Sequence, residues 1–400
     1  MALPNDLTTT TQAHLQSLVD EGVGEGAHLD FKRDFPAAWA DKQRHDLASD
    51  LSAFANAGGG TLIFGVDEDE EGFAKELLPQ AFNPDDDELK MRNILRDWVE
   101  LRMPAILIHP VPVNVDGKDG YVILVNVPQS WVGPHRLVGK KEFYVREGRQ
   151  SRPVNIPELR GLFERSASAG QRVRDFRTER IGRILAGETP RRLKPGVAAV
   201  LHLVPTQAAF GNVAIQPLDY DTRKHGARMM PVLGAQLGAG LPRTVLEGIA
   251  HTRAGVQGGC FGYSLLTRNG FFEATYVDSF AEDAGALVQV TSTTIEPGCV
   301  ALVNWFRQEL TRLGVSTELM VMFSLLHAKR GVLNFRRDDF MLDEDEGYFT
   351  QQHLVLPEVV LAESDETTVG MQQVFDSLWQ ACNMERSPFF DNAGRLVQRR

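Results

Sequence analysis

The stretch from Asp41 to Asp67 constrains this chain more than any other. An apolar series at helical spacing, Leu47, Leu51 and Phe54, runs into Asn56 and the glycines Gly58–Gly60. The run Thr61-Leu-Ile-Phe-Gly-Val66 follows. Spacings of three and four predict a helix over Asp41–Ala57 with one buried face. Asn56 and the glycines stop it. A short apolar run bounded by turn residues predicts a buried strand over Thr61–Val66. The order helix, glycines, strand also argues against a phosphate-binding P-loop, which needs GxxxxGK[ST] between strand and helix. The nearest Gly-Lys pair, Gly139-Lys140, lacks both the Ser/Thr and a glycine at the right distance.

The flanking segments mix both element types. Leu7–Asp20 reads as a short amphipathic helix. His28–Arg33 alternates as a strand, with Leu29 and Phe31 on one face and Asp30 and Lys32 on the other. Asp85–Leu101 has helical spacing. Ile106–Val115 and Tyr121–Val127 are strands joined at Asp116-Gly117. Phe143–Arg146 reads as a short strand and Ile156–Arg165 as a helix. The fold class expected is α/β (α+β mixed). A length of 400 residues predicts two domains. The first covers residues 1–170. An arginine-rich linker helix, residues 171–195, carries Arg172, Arg174, Arg177, Arg180 and Arg183; it is a solvated connector or a nucleic-acid-facing arm. A second mixed α/β domain covers residues 196–400. In it Val197–Val204 and Leu319–Leu326 read as buried strands and Val300–Leu313 as an amphipathic helix. The acid run Asp343–Glu346 reads as a solvated turn.

Charge and composition narrow the partners. A formal charge of -11 removes bulk attraction to nucleic acid, so any such site has to be a local basic patch. Cys260, Cys299 and Cys382 are odd in number and widely spaced, which suits a reducing cytoplasm. No signal-peptide pattern opens the sequence, and no run reaches about 18 apolar residues, so no membrane partner is expected. The histidines show no zinc spacing.

Three acids, Glu25, Asp30 and Asp67, bracket the helix and its glycine turn. Gly24 and Gly26 let the loop at Glu25 curl back towards Asp30. If β-neighbours bring Asp67 close, the three oxygens suit a hard cation, Mg2+ or Mn2+, that activates water and polarises phosphate. Lys32 then steadies charge on the phosphate. The competing reading is three solvent-facing acids beside turns. Arg33, Lys140, Lys141, Arg146, Arg149 and Arg152 are candidate phosphate contacts or ordinary surface charge. Trp39 and Trp131 offer stacking surfaces or simple anchoring, and His135 is a loop histidine or a substrate contact.

Several blocks together carry a family resemblance. Asp30-Phe-Lys-Arg33, Ser52-Ala-Phe-Ala-Asn56 with Gly58–Gly60 and Val66-Asp67, Val127-Pro-Gln-Ser130, Pro134-His135 and Phe143-Tyr-Val-Arg146-Glu-Gly148 fall in one order. This pattern resembles the Schlafen AlbA-type domain, also described as a divergent AAA domain, over roughly residues 15–166. The resemblance implies an α/β module that interacts with RNA or DNA. In its nuclease members it implies a metal-dependent endoribonuclease acting on tRNA and rRNA, with a Glu, a second Glu five residues on and an Asp after a Gly-Val pair. Those positions match Glu25, Asp30 and Asp67. Asp30 departs from the pattern by one methylene, and the zinc cluster of animal relatives has no counterpart. Animal relatives fuse two lobes, so a homodimer is expected of this one-lobed chain. Two functions remain open. One is an endoribonuclease on tRNA or other structured RNA, acting in phage defence. The other is a non-catalytic nucleic-acid-binding regulator with a ligand-sensing C-terminal domain.

Overall fold

Strand β1 (Leu29–Lys32) lies parallel to β2 (Gly60–Phe64), with Asp30 opposite Leu62 and Lys32 opposite Phe64. Parallel neighbours need a crossover, and helix α2 (Asp41–Asn56) supplies it. β7 (Lys118–Val127) continues the sheet antiparallel to β2, and β6 (Leu107–Val115) closes it, giving the order β1-β2-β7-β6. The period of two sorts the side chains. Leu62 and Phe64 join Leu47, Leu51 and Phe54 of α2 and Met91, Ile94 and Leu95 of α3 (Pro84–Trp98) in one core. Phe31 and Ile63 face the other way, onto Leu15 and Leu18 of α1 (Gln12–Asp20). Asp30 and Lys32 therefore share the α2 face of the sheet at its edge, as the alternation of this strand predicts.

The computed structural model describes residues 3–4, 6–104, 106–216, 230–234, 242–253, 259–278, 288–315, 318–329, 331–333, 348–362 and 365–397. They divide into two units, Met1–Gln171 with Leu310–Thr317, and Arg172–Glu309 with Glu318–Arg400. Both mix helices and strands. The predicted helix Ile156–Arg165 and the predicted linker helix are one element, α4 (Ile156–Ala186), and the unit boundary falls within it.

The predicted strand Thr61–Val66 stops early. Gly65 has φ +93, and a Cβ there would lie 2.8 Å from the Leu78 carbonyl oxygen. Only glycine takes that turn without strain. Beyond it, β3 (Val66–Glu68) leaves the main sheet and pairs with β4 (Ala74–Leu77). Asp67 thus belongs to a separate hairpin.

The second unit is built on an antiparallel sheet. Its order is β12 (Arg243–Val245), β13 (Gly248–Arg253), β14 (Gly262–Thr267), β15 (Phe272–Asp278), β11 (Val197–Pro205), β17 (Leu319–Leu326) and β19 (His353–Val355), with β20 (Val359–Leu361) also on β17. The predicted helix Val300–Leu313 is the later part of Ser292–Arg312. The acid run Asp343–Glu346 lies outside the described residues. Among the described residues no helix is long and apolar enough to cross a membrane.

The glycine turn before β2 generates a test. Gly59 has φ +77, and a Cβ there would stand 2.8 Å from Gln129 N and 2.9 Å from the Val127 carbonyl oxygen, both fixed backbone atoms. At Gly58 the nearest obstacle is the His28 ring, a side chain that can swing away. Gly59→Ala is expected to cost at least about 2 kcal/mol in urea denaturation, and Gly58→Ala clearly less. Equal costs would contradict this account of the turn.

Candidate functional site

A cleft of about 600 Å3 opens between the edge strand β1, helix α2 and the hairpin of β9 (Tyr144–Glu147) and β10 (Gln150–Pro153). Asp30 and Lys32 come from the strand, Asp46 and Asp50 from the helix, and Tyr144, Arg146 and Ser151 from the hairpin. Trp39, His45 and Phe64 complete the aromatic part of the lining.

The floor is a chain of charges. Asp30 is 2% exposed. Its Oδ1 accepts a hydrogen bond from Arg146 Nη2 at 2.9 Å, and Lys32 Nζ lies 2.7 Å from its Oδ2. The same ammonium is 3.3 Å from Asp50 Oδ2. Burial works against the charged form of Lys32, but Asp50 and Asp30 outweigh it and raise its pKa. Burial likewise raises the Asp50 carboxyl, against the pull of Lys32. Arg146 also donates to the carbonyls of Gly26, Gly148 and Leu29, and its guanidinium sits 5.1 Å over the Phe54 ring.

Glu25 joins from the loop before β1. Its Oε1 accepts from Phe31 N at 2.7 Å. Burial, then the hydrogen bond to Asp30, pushes its pKa up to about 7. Asp30 and Glu68 are the carboxylates that add to this rise. Asp67, on the β3–β4 hairpin, is instead bound to Arg33, Oδ2 to Nη1 at 2.8 Å.

Each carboxylate of the expected triad is thus already engaged, and Asp67 by a different partner from the other two. Among the described residues no group of three His, Cys, Asp or Glu side chains could hold a metal ion. As arranged, Glu25, Asp30 and Asp67 do not fit Mg2+ or Mn2+. The acid that completes the charge chain is Asp50, which the sequence reading passed over. Its signal was there: it sits three residues after Leu47 and four before Phe54, a carboxylate on the apolar face of α2.

The candidate phosphate contacts separate in the same way. Arg146 is a buried partner of Asp30 and cannot serve as a surface contact. Arg152 is held by Glu147 and Glu158, and Arg33 by Asp67. Arg149 is exposed, lines the cleft and donates to the Glu71 carbonyl. Lys140 and Lys141 are exposed in the turn before β9. His135 is fully buried, its backbone N donating to Asn56 Oδ1 at 2.6 Å, and acts as a loop anchor.

Two outcomes follow from this geometry. Arg146→Ala leaves a buried carboxylate short of its main partner and is expected to cost about 3 kcal/mol in urea denaturation, whereas Arg149→Ala stays within about 0.5 kcal/mol. Similar values for the two would contradict the buried-pair assignment. For Glu25 the folded pKa is raised from 4.5 to about 7, so the protonated form stabilises the fold. That contribution is whole below about pH 4.5 and is lost as pH rises through about 7. Glu25→Gln should flatten stability against pH in that window, and an unchanged profile would refute the shift.

No curated protein matches this chain. Among solved structures it is similar to the DIP2311 protein from Corynebacterium diphtheriae, with 19% identity, TM-score 0.25, 37% of this chain covered and 27% of that one. The chain therefore spans little more than a quarter of that protein. It is also similar to the N-terminal domain of a RecG-related protein from Nitrosomonas europaea, with 21% identity, TM-score 0.25, 35% of this chain and 90% of that one. Residues 25–155, which hold the whole cleft, match the family model described as Schlafen, AlbA_2, and this part of the first unit is a Schlafen AlbA-type domain.

Proposed function

We propose that the first unit binds nucleic acid, RNA or DNA, with the phosphate backbone entering the cleft over Lys32. The observation that carries this reading is an ammonium fixed between two carboxylates yet with 37% of its side chain exposed. A preset cation of this kind loses little freedom when a phosphate arrives. Arg149 extends the contact, and Lys140 and Lys141 add exposed charge on the same unit. Trp39, half-buried on the lining, offers a ring surface for an unpaired base. The lining also carries Asp34 and Asp46, so long-range attraction is weak and the affinity comes from direct phosphate contact. A homodimer, which the resemblance to two-lobed relatives suggests, would place two such clefts in one assembly. In this reading the second unit is a ligand-sensing regulator of the first.

A second reading is cleavage of tRNA or other structured RNA, used in phage defence. The observation that favours it is Glu25, which burial and its hydrogen bond to Asp30 raise to about 7, in a chain of charges that leads through Asp30 to Lys32. General acid–base chemistry needs a group whose pKa lies near the working pH. Asp30 lines the cleft and Glu25 stands behind it. Here Glu25 and Asp30 would hold and move the proton, and Lys32 would steady charge on the phosphate. The donor set as arranged offers no place for a metal, so no step is assigned to one.

Fluorescence anisotropy of the full chain with labelled single-stranded RNA and DNA tests the first reading. Binding should weaken steeply with salt, and Lys32→Gln should lower affinity about five- to tenfold and reduce the salt slope by about 0.7–0.9, one phosphate contact. Salt-independent binding, or a variant equal to the parent, would defeat it. Incubation of purified tRNA with the protein, in EDTA and separately in Mn2+ or Mg2+, tests the second. Absence of cleavage in every condition would remove it and leave the binding reading intact.

A further inference from the structure

The arginines of α4 do not behave alike. In the second unit Arg180 is buried against Glu273, with Nε and Nη2 donating to its two oxygens at 2.9 and 2.8 Å. His202 and Tyr263 also bind that carboxylate. Although burial alone would raise its pKa, His202 and Arg180 hold Glu273 at about 2. Both oxygens of Glu273 are matched there, and the cluster belongs to the core.

Arg177, one turn earlier, is different. Its side chain is 14% exposed, and its Nη1 is buried without a hydrogen-bond acceptor. The nearest carboxylate, Glu358, is 3.9 Å away, too far for a hydrogen bond. Burial lowers the pKa of Arg177, and Glu358 offsets this only in part. A desolvated guanidinium with an unmet donor is costly, and an oxyanion placed on its fork removes the cost. Space for one exists. Arg177 lines a cavity of about 320 Å3 with Arg174, Thr178 and Glu358, and its apolar wall is Ile181 of α4, Met322 of β17 and Val355 of β19. This volume lies at the small end of ligand pockets.

We infer that this cavity binds a small organic oxyanion, a phosphate or a carboxylate, with its head on Arg177 and Arg174 and its apolar body against Ile181, Met322 and Val355. The two cations set the charge of the ligand, the planar fork sets the shape of its head, and the apolar wall excludes a bare inorganic ion as the best fit. Glu358, 43% exposed at the rim, competes for Arg177 and weakens binding. The inference gives the sensing role proposed for the second unit its ligand class. It does not depend on the nucleic-acid cleft, and its failure would leave that reading untouched.

Isothermal titration of the full chain with phenyl phosphate, benzoate and inorganic phosphate at fixed ionic strength tests it. At least one organic probe should bind at one site per chain, several-fold tighter than inorganic phosphate; which of the two binds identifies the head group. Arg177→Ala should weaken that binding about tenfold or more, the scale of a charge-assisted hydrogen bond. Glu358→Gln, a change at the exposed rim that leaves the core alone, should tighten it. Silence from both organic probes, equal affinity for inorganic phosphate, an unchanged Arg177→Ala or a Glu358→Gln that binds no better would each overturn the inference.

Discussion

The contact between Asp30 and Arg146 is the one on which the first unit depends. A carboxylate on the inner face of an edge strand is costly to bury unless it is matched. Arg146 reaches it from a hairpin 116 residues further along the chain. Its Nε donates to the carbonyls of Gly26 and Gly148 and its Nη2 also to that of Leu29, so the guanidinium fixes the loop before β1 as well as the strand itself. The hairpin β9–β10 is thereby held against the sheet edge and becomes the third wall of the cleft. With one Asp30 oxygen on Arg146, the other is left to Lys32, and Asp50 completes the chain from α2. Cleft, cation and carboxylates are consequences of one buried pair.

Much of this was legible in the sequence where the deciding forces are local. Helix α2, the glycine turn and β2 were readable because apolar spacing and backbone freedom are properties of neighbouring residues. The alternation of β1 placed Asp30 and Lys32 on one face, which the structure bears out. What was not legible depends on pairing across long separations. Phe143–Arg146 read as a strand ending in a surface cation, because nothing near Arg146 in sequence shows that Asp30 awaits it. The triad rests on Asp67 emerging just past the end of a strand that neighbours β1. Gly65 turns the chain out of the sheet one residue too soon, and Arg33 takes the carboxylate. Asp50 could have been found by asking why an acid occupies the apolar stripe of a helix. The long helix α4 was divided in two by the sequence reading because its composition changes from mixed to arginine-rich, whereas backbone continuity follows from helix propensity and has no regard for charge.

The engagement of the acids also bears on chemistry. Burial first, and then the neighbouring Asp30, raise the Glu25 carboxyl to about 7, so that it keeps its proton towards neutral pH. Asp30 is paired instead with two cations, Arg146 and Lys32. The two acids thus stand in different surroundings, the usual ground for assigning separate roles to two acids in one site. Lys32 is the hinge between them and the cleft. It is near enough to the pair to feel its protonation state and exposed enough to meet a ligand.

Buried arginine supplies a criterion that runs through both units. Arg146 and Arg180 are each surrounded by acceptors with good geometry, so their charges are spent inside the protein and their removal is a matter of stability. Arg177 is desolvated with Glu358 as a distant counter-charge and no acceptor on its Nη1, and folding alone gives no reason to keep it so. A cation in that state is retained at a cost to the fold, and a cavity with an apolar wall beside it offers the compensation. Counting cations along α4 treats these arginines as equals; asking which of them has its acceptors already in place separates the structural one from the one available to a ligand.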